Sequence, residues 1–295
     1  MIPGFAERRV AADEAEVHLE IGGSGPPLLL LHGYPETHAC WHRVAPLLAA
    51  DFTVVCPDLR GYGESRFTGT ETPDHAAFSK RAMARDQVAT MAKLGFARFA
   101  VAGHDRGGRV AYRLALDHPD RVTRLATLDI VPTLEAFERM DAQRAMSAYH
   151  WLFLAQPFDL PERMIAGDPD FYLDRTVRSW CGPDTGPAPE AMAEYRRAFR
   201  RPEVIHAACE DYRAGAGLDC EYDRADRDAG RRIACPMLAL WGGRRTIGAN
   251  VGDQLATWRR WADRVEGGPI ACGHFLPEEA PDETAAALRR FFAAA

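Results

Sequence analysis

The chain has 295 residues, is 47% hydrophobic and carries a formal net charge of −6 at pH 7, enough apolar material for one sizeable core with an insertion. No Lys/Arg block is interleaved with aromatics, which argues against a nucleic-acid partner, and no apolar run reaches signal-peptide or membrane-span length, so a cytoplasmic location without membrane association is expected. The seven cysteines are scattered without a C-x-x-C pair, which suits neither a disulfide frame nor a zinc site, and nothing in the chain calls for a metal or a cofactor.

In chain order, residues 8–22 alternate loosely as an opening antiparallel pair, and Pro27 to Leu31 is a fully apolar strand ending in His32-Gly33-Tyr34-Pro35. Helical spacing covers Trp41 to Leu48, and a strand follows over Phe52 to Cys56. Pro57-Asp58-Leu59-Arg60-Gly61 then reads as a loop held by Asp58 and Arg60. A helix over about Ser79 to Leu94 leads to the short apolar run Arg98 to Ala102, after which Gly103-His104-Asp105-Arg106-Gly107-Gly108-Arg109 opens a helical stretch. Val122 to Leu128 is another strand, ending in Asp129. The alternation then stops until Pro236 to Trp241, a helix near Asp253 to Arg264, a strand near Pro269 to Cys272, His274, and a closing helix to Phe292. The predicted class is α/β: an α/β-hydrolase fold with a mostly parallel eight-stranded sheet flanked by helices, formed by residues 1–132 and 228–295. A helical cap, residues 133–227, is inserted after the sixth strand.

The glycines at 103 and 107 flank Asp105 at the spacing of a nucleophile elbow, a strand-to-helix turn too sharp for Cβ atoms two residues either side. Aspartate at the tip, where serine is usual, implies attack on sp³ carbon: a carboxylate forms an ester that water can cleave, whereas serine would be stranded as an ether. His274 follows the last strand and so falls at the same sheet edge, as a base that activates water. The turn after Trp241 offers no carboxylate, which leaves Asp129 as the acid orienting His274 and Asp253 as the alternative. The backbone N–H groups of Tyr34 and Arg106 are the candidate oxyanion donors. Arg106 and Arg109 lie in the first helical turn, where the macrodipole disfavours cations, and so predict a bound anion: a substrate carboxylate clamped by the pair.

Gly-His-Asp-Arg-Gly-Gly-Arg at 103–109, His-Gly-Tyr-Pro-Glu-Thr-His at 32–38, Tyr-His-Trp at 149–151 and Cys-Glu-Asp-Tyr-Arg-Ala at 209–214 resemble the fluoroacetate (haloacetate) dehalogenases of the α/β-hydrolase superfamily over nearly the whole chain. The resemblance implies hydrolysis of a small haloacid to glycolate and halide through an ester on Asp105, with His150, Trp151 and Tyr212 as the halide site, Trp180 near the pocket, and a homodimer. The elbow alone also fits an epoxide hydrolase, with Tyr212 and Tyr149 or Tyr195 protonating the epoxide. A ligand-binding member of the fold without turnover is the non-enzymatic reading.

Overall fold

In the computed structural model, which describes residues 2–244 and 254–293, nine strands form one sheet. They are β1 (Ala6–Ala11), β2 (Ala15–Gly23), β3 (Pro27–Leu31), β4 (Thr53–Pro57), β5 (Arg66–Phe67), β6 (Phe99–His104), β7 (Val122–Leu128), β8 (Met237–Gly242) and β9 (Val265–Ile270). The order is β1-β2-β4-β3-β6-β7-β8-β9, with β5 off this path on β2. β1, β2 and β4 pair antiparallel, and every contact from β4 through β3, β6, β7, β8 to β9 is parallel. The eight expected strands are those of the main path. The ninth, β5, matches only Ala15 and Glu16 of β2 and is too short to leave a periodic signal.

The continuous apolar runs of the sequence form the sheet centre. Leu28, Leu29, Leu30 and Leu31 of β3 and Val101 and Ala102 of β6 are fully buried, as strands covered on both faces must be. β9 lies upstream of its expected place because Gly267 and Gly268 read as a break. Gly267 is in fact inside the strand at φ 148°, where a Cβ would lie 1.8 Å from the Ala239 carbonyl oxygen, so only glycine lets β9 approach β8. The helix expected over 41–48 is split into a 3₁₀ turn, His38–Trp41, and a short helix, Ala45–Leu48. Pro46 is accommodated in the first turn of the latter, where its missing N–H is not needed.

Helices Lys80–Lys93, Asp105–Asp117 and Pro281–Ala293 belong to the sheet layers, and Ser79 caps the first by accepting from the Ala82 N–H at 3.2 Å. Between β7 and β8 eight helices run from Thr133 to Asp228 with no strand among them. No helix among the described residues is long and apolar enough to cross a membrane. The parallel strands place the ends of β3, β6, β7 and β8, and the loop after β9, along one edge beneath these helices.

The loop after β4 is held by buried charge. Asp58 Oδ1 accepts from the His38 backbone N–H and from His38 Nδ1, both at 2.8 Å. Its Oδ2 accepts from His18 Nδ1 at 3.0 Å and the Glu64 N–H at 2.9 Å. Four donors fill the four acceptor positions of the carboxylate, so Asp58 ties two histidine rings and two backbone amides into one buried cluster. Arg60 forks onto Asp86 with two bonds of 2.7 Å and also donates to the Ala77 carbonyl. Burial alone would lower the His38 pKa, but Asp58, with Glu20 behind it, raises it to about 10. A raised histidine contributes stability that is complete below its unfolded value near 6.5 and is lost as pH rises through about 10. Asp58→Asn should therefore cost about 3–5 kcal/mol at neutral pH in guanidinium unfolding, as removal of one partner from a buried ionic cluster does. The difference from wild type should shrink as the pH is raised through about 10.

Candidate active site

Asp105 stands where β6 passes into the helix Asp105–Asp117, with φ of 45°, the left-handed region that a non-glycine residue enters at a cost in strain. The flanking glycines are required by contact. A Cβ on Gly103 would lie 2.3 Å from the Gly107 carbonyl oxygen, and one on Gly107 would lie 2.4 Å from that of His32. The turn thus presses β6 and its helix against the end of β3.

The two oxygens of Asp105 have different surroundings. Oδ1 accepts the Tyr34 backbone N–H at 2.9 Å, while Oδ2 lies 3.8 Å from His274 Nε2. That second separation is too long for a hydrogen bond and leaves space on the imidazole side. His274 Nδ1 is 2.5 Å from Asp129 Oδ2, and Asp129 Oδ1 accepts the Gly242 N–H at 3.1 Å. Asp129 thus takes the orienting position, and Asp253 lies outside the described residues. The Arg106 N–H is in the first turn of the helix, where amides have no intrahelical acceptor. Burial works against ionising Asp105, but the charges of His274, His104, Arg106 and Arg109 outweigh it and hold the carboxyl well below the usual carboxylate range.

The two arginines differ in their partners. Arg106 is bound through Nε and Nη2 to both carboxylate oxygens of Asp211, at 2.9 and 2.6 Å, and through Nη2 to the Asp211 carbonyl at 2.8 Å. Only its Nη1, buried and without a hydrogen-bond partner among the described residues, is left over. Asp211 also accepts from Tyr62 Oη at 2.8 Å and from Lys80 Nζ. Arg109 has no carboxylate partner among the described residues: its Nη1 donates to the Val131 carbonyl at 3.0 Å and to Thr133 Oγ1 at 3.2 Å. Its guanidinium lies 4.5 Å over the Trp151 ring. Burial and the neighbouring Arg106 both lower its pKa, the condition of a buried cation that an anion would stabilise.

His150, Trp151 and Tyr212 come together from two helices, Tyr149–Leu154 and Pro202–Ala216. Their rings are 5.7 Å (His150 to Tyr212) and 6.2 Å (Trp151 to Tyr212) apart, and the Arg106 guanidinium sits 4.1 Å from the Tyr212 ring. The Tyr212 hydroxyl is buried with no hydrogen-bond partner among the described residues. A cavity of about 290 Å³ has Asp105, Arg109, His150, Trp151 and His274 in its wall; Arg106 and Tyr212 are not among the residues lining it, and meet it through Trp151, 5.9 Å from the Arg106 guanidinium and 6.2 Å from the Tyr212 ring. Arg139, Arg144 and Arg175, each partly or fully exposed to solvent, also line it; Arg139 pairs with Glu135 and Arg144 with Asp141, both at 3.2 Å.

Sequence reasoning gave no role to several residues of this site. Trp180, named without a role, packs 4.4 Å from His150 and 5.4 Å from His274, and its carbonyl accepts the His274 N–H. Asp211 was visible only as a neighbour of Tyr212, and Thr133 only as a loop residue. Their partners are 105 and 24 positions away in the chain, and no local pattern reports such pairings. Tyr195, a candidate epoxide donor, is instead committed to Glu278 Oε1 at 2.5 Å.

The unequal arginines predict unequal variants. In calorimetric titration with a small carboxylate such as acetate, Arg109→Gln should lose about 3–5 kcal/mol of binding, having removed a buried charge that has no carboxylate partner among the described residues. Arg106→Gln should lose less, because Asp211 already neutralises that guanidinium.

The α/β hydrolase fold family model matches residues 26–281. The chain is 45% identical over 99% of its length to a fluoroacetate dehalogenase from Burkholderia sp, covering 95% of that protein. It is 36% identical over 94% of its length to a soluble epoxide hydrolase from Corynebacterium sp. (strain C12), covering 93% of it. A crystal structure from Nostoc sp PCC 7120, described as that of an α/β hydrolase, superposes with a TM-score of 0.96 at 50% identity, with 100% of both chains covered. An aspartate elbow on β6, a histidine after β9 and a helical segment between β7 and β8, together with these likenesses, lead to one conclusion: the chain belongs to the α/β-hydrolase fold family.

Proposed function

We propose that the protein hydrolyses haloacetates to glycolate and halide through a covalent ester on Asp105. The observation that carries this reading is Arg109, a buried guanidinium without a carboxylate partner among the described residues, in the same cavity wall as Asp105. Such a cation selects an anionic substrate and fixes its carboxylate beside the nucleophile. The 45% identical fluoroacetate dehalogenase supports the same substrate class.

In the proposed reaction the substrate carboxylate pairs with Arg109 and takes the remaining N–H of Arg106. Asp105 is ionised without help from a base, and its Oδ2, not engaged by Tyr34, attacks the carbon bearing halogen. The carbon–halogen bond breaks and the halide departs towards His150, Trp151 and the Tyr212 hydroxyl, donors able to solvate it. Oδ1 becomes the ester carbonyl and stays against the Tyr34 N–H. Water in the gap beside His274 then loses a proton to Nε2 and adds to the ester carbonyl carbon, while Asp129 holds Nδ1–H and stabilises the imidazolium. The Tyr34 and Arg106 N–H groups receive the charge that develops on Oδ1; collapse breaks the bond to the glycolate oxygen, which takes the proton from His274 Nε2, and the regenerated Asp105 carboxyl gives its remaining proton to solvent.

Epoxide hydrolysis is the second reading, favoured by the 36% identical relative. It requires phenols that protonate the epoxide oxygen. Tyr212 qualifies and Tyr149 lines the cavity, but Tyr195 is occupied, and a neutral epoxide leaves Arg109 uncompensated.

His274 serves only the second half-reaction. His274→Asn should release one halide per site at an undiminished rate and then accumulate a carboxymethyl ester on Asp105, with hydrolysis slowed about 10²–10⁴-fold. Quenched-flow halide measurement and the mass of the peptide carrying residues 103–109 check both, and Asp105→Asn should give neither burst nor adduct. The solvent-exposed arginines of the cavity wall predict that kcat/KM for chloroacetate falls on the order of tenfold as salt rises from about 0.01 to 1 M, where the Debye length contracts from about 30 to 3 Å. Arg175→Gln should flatten that dependence and leave kcat unchanged.

A further inference from the structure

The loop that carries His274 is closed in from two sides. On the sheet side, a Cβ on Gly242 at the end of β8 would lie 1.9 Å from the Gly273 carbonyl oxygen. On the other side, the turn that follows helix Pro169–Trp180 presses on the same residue: a Cβ on Gly273 would lie 2.1 Å from the Gly182 nitrogen. The turn and the histidine loop therefore meet backbone to backbone. The hydrogen bonds of that contact converge on Glu279. Its Oε1 accepts the Phe275 N–H at 2.9 Å, and its Oε2 accepts the Gly273 N–H at 2.9 Å, the Gly182 N–H at 2.8 Å and the Thr185 hydroxyl. The N–H between the first two, that of His274 itself, donates to the Trp180 carbonyl at 2.9 Å. Three successive amides of the histidine loop are thus satisfied by one carboxylate and by the last residue of a helix between β7 and β8.

We propose that Glu279 is a positioning residue that fastens the helical segment between β7 and β8 to the loop of the base, so that the imidazole of His274 is set by where the turn 181–185 docks as well as by the sheet edge. The inference rests on the reading of Asp105 as nucleophile and His274 as base for its kinetic consequence, though not for the coupling of turn and loop.

Asp129 holds only one end of the imidazole. A bond at Nδ1 turns the ring towards Asp105 but does not fix the backbone behind it, and the 3.8 Å between Nε2 and Asp105 Oδ2 is the gap beside which water has to be placed. A shift of about 1 Å in such a gap costs on the order of 10²-fold in rate. Glu279 supplies the second fixed point through the residues on either side of His274. An ionised carboxylate suits the position because it only accepts: four donors, two from each side of the contact, meet a group that presents no hydrogen of its own, whereas an amide would turn N–H against at least one of them. The segment held in this way also forms cavity wall, since the Trp180 and His150 rings are 4.4 Å apart and both residues line the cavity. Displacement at carbon makes no use of His274, so loosening the tie bears on ester hydrolysis and spares the attack by Asp105.

Quenched-flow measurement of halide release and ester accumulation with chloroacetate reads the two half-reactions apart. Glu279→Gln should keep the halide burst at an undiminished rate and slow hydrolysis of the Asp105 ester on the order of 10–100-fold, so that the ester accumulates. Thr185→Val removes one hydroxyl from the far side of the contact and should slow hydrolysis about 3–10-fold in the same selective way. The double variant should be little slower than Glu279→Gln alone, because the hydroxyl acts through the carboxylate. A burst that falls as far as hydrolysis does, or hydrolysis at the wild-type rate in both single variants, overturns the proposal and leaves Glu279 a support of the fold. If Glu279→Gln does not fold, Thr185→Val and Gly182→Ala, whose methyl would lie 3.0 Å from the Gly273 nitrogen, carry the same test from the turn. Hydrogen exchange read by mass spectrometry reports the coupling without turnover: in Thr185→Val the amides of residues 273–275 should exchange faster together with those of 180–185, and loosening confined to 180–185 refutes the tie. Absence of any burst in wild type refutes the haloacetate reading instead, while hydrogen exchange still decides whether the turn holds the loop.

Discussion

The site depends on how closely the end of β3 and the start of the elbow helix approach one another. A Cβ on Gly33 would lie 2.6 Å from that of Asp105, and the glycines at 103 and 107 face backbone oxygens at 2.3 and 2.4 Å. Three positions without side chains let two segments touch, and Asp105 accepts a left-handed backbone at their meeting point. The strain is held because the surrounding β3, β6 and β7 are buried and paired on both sides. What the contact achieves is orientation: one oxygen of Asp105 is fastened to the Tyr34 amide and the other faces His274, so the carboxylate cannot rotate between the two roles proposed for it.

Around this point the protein buries an unusual amount of charge, and nearly all of it is matched. Asp211 answers Arg106 and Lys80, Asp129 answers His274, and Glu36 answers His104. Each pair ties the site to a different part of the chain: Asp211 anchors the helix carrying Tyr212 to the elbow, and Glu36 anchors the oxyanion turn. Arg109 stands apart, held by a carbonyl, a hydroxyl and an indole face. An unmatched cation destabilises a buried site, so its presence among so many matched ones is what assigns the substrate a negative charge in the proposed function. Arg106 reads differently in the fold than in the sequence. First-turn position makes both arginines candidate clamps, but only three-dimensional pairing shows that one has already spent most of its donors.

The parts legible in the sequence were those with local signatures. β3 and β7 coincide with their apolar runs, the helix expected over about 79–94 lies at Lys80–Lys93, and the elbow glycines together with the histidine after the last strand point to Asp105 and His274, which the structure brings within 3.8 Å of one another. Asp129 was reached by elimination from the turn after Trp241, and its hydrogen bond to His274 follows from the sheet order that puts β7 beside β8. What was not legible has long-range causes. β9 was misplaced because glycine signals a break in sequence but a close approach of strands in space. β5 pairs with the first residues of β2, Ala15 and Glu16, on the edge that β4 leaves open, since β4 pairs only with Leu19 to Gly23. The contacts of Asp211 with Arg106, of Thr133 with Arg109 and Tyr112, and of Glu36 with His104 join positions at least 21 residues apart.

Shared ancestry with both a fluoroacetate dehalogenase and an epoxide hydrolase is intelligible from this division of labour. The sheet edge brings together an ionised carboxylate, an amide for its other oxygen and an oriented imidazole, and in the proposed function these serve attack on sp³ carbon and ester hydrolysis whatever the leaving group. The distinction lies in the helices between β7 and β8. A halide needs several donors that stay with the departing anion, whereas an epoxide oxygen needs a proton while it remains bonded to carbon. The rings of His150, Trp151 and Tyr212 meet there, and of the two phenols that could join Tyr212 on an epoxide, Tyr149 and Tyr195, the second is turned to Glu278. In the proposed function, anion selection by Arg109 and halide release towards these three side chains are two ends of one substrate, with the Trp151 ring in contact with the Arg109 guanidinium. A change in that ring would alter carboxylate binding and leaving-group solvation together, so in this fold specificity for acid and for halide cannot be tuned separately at Trp151.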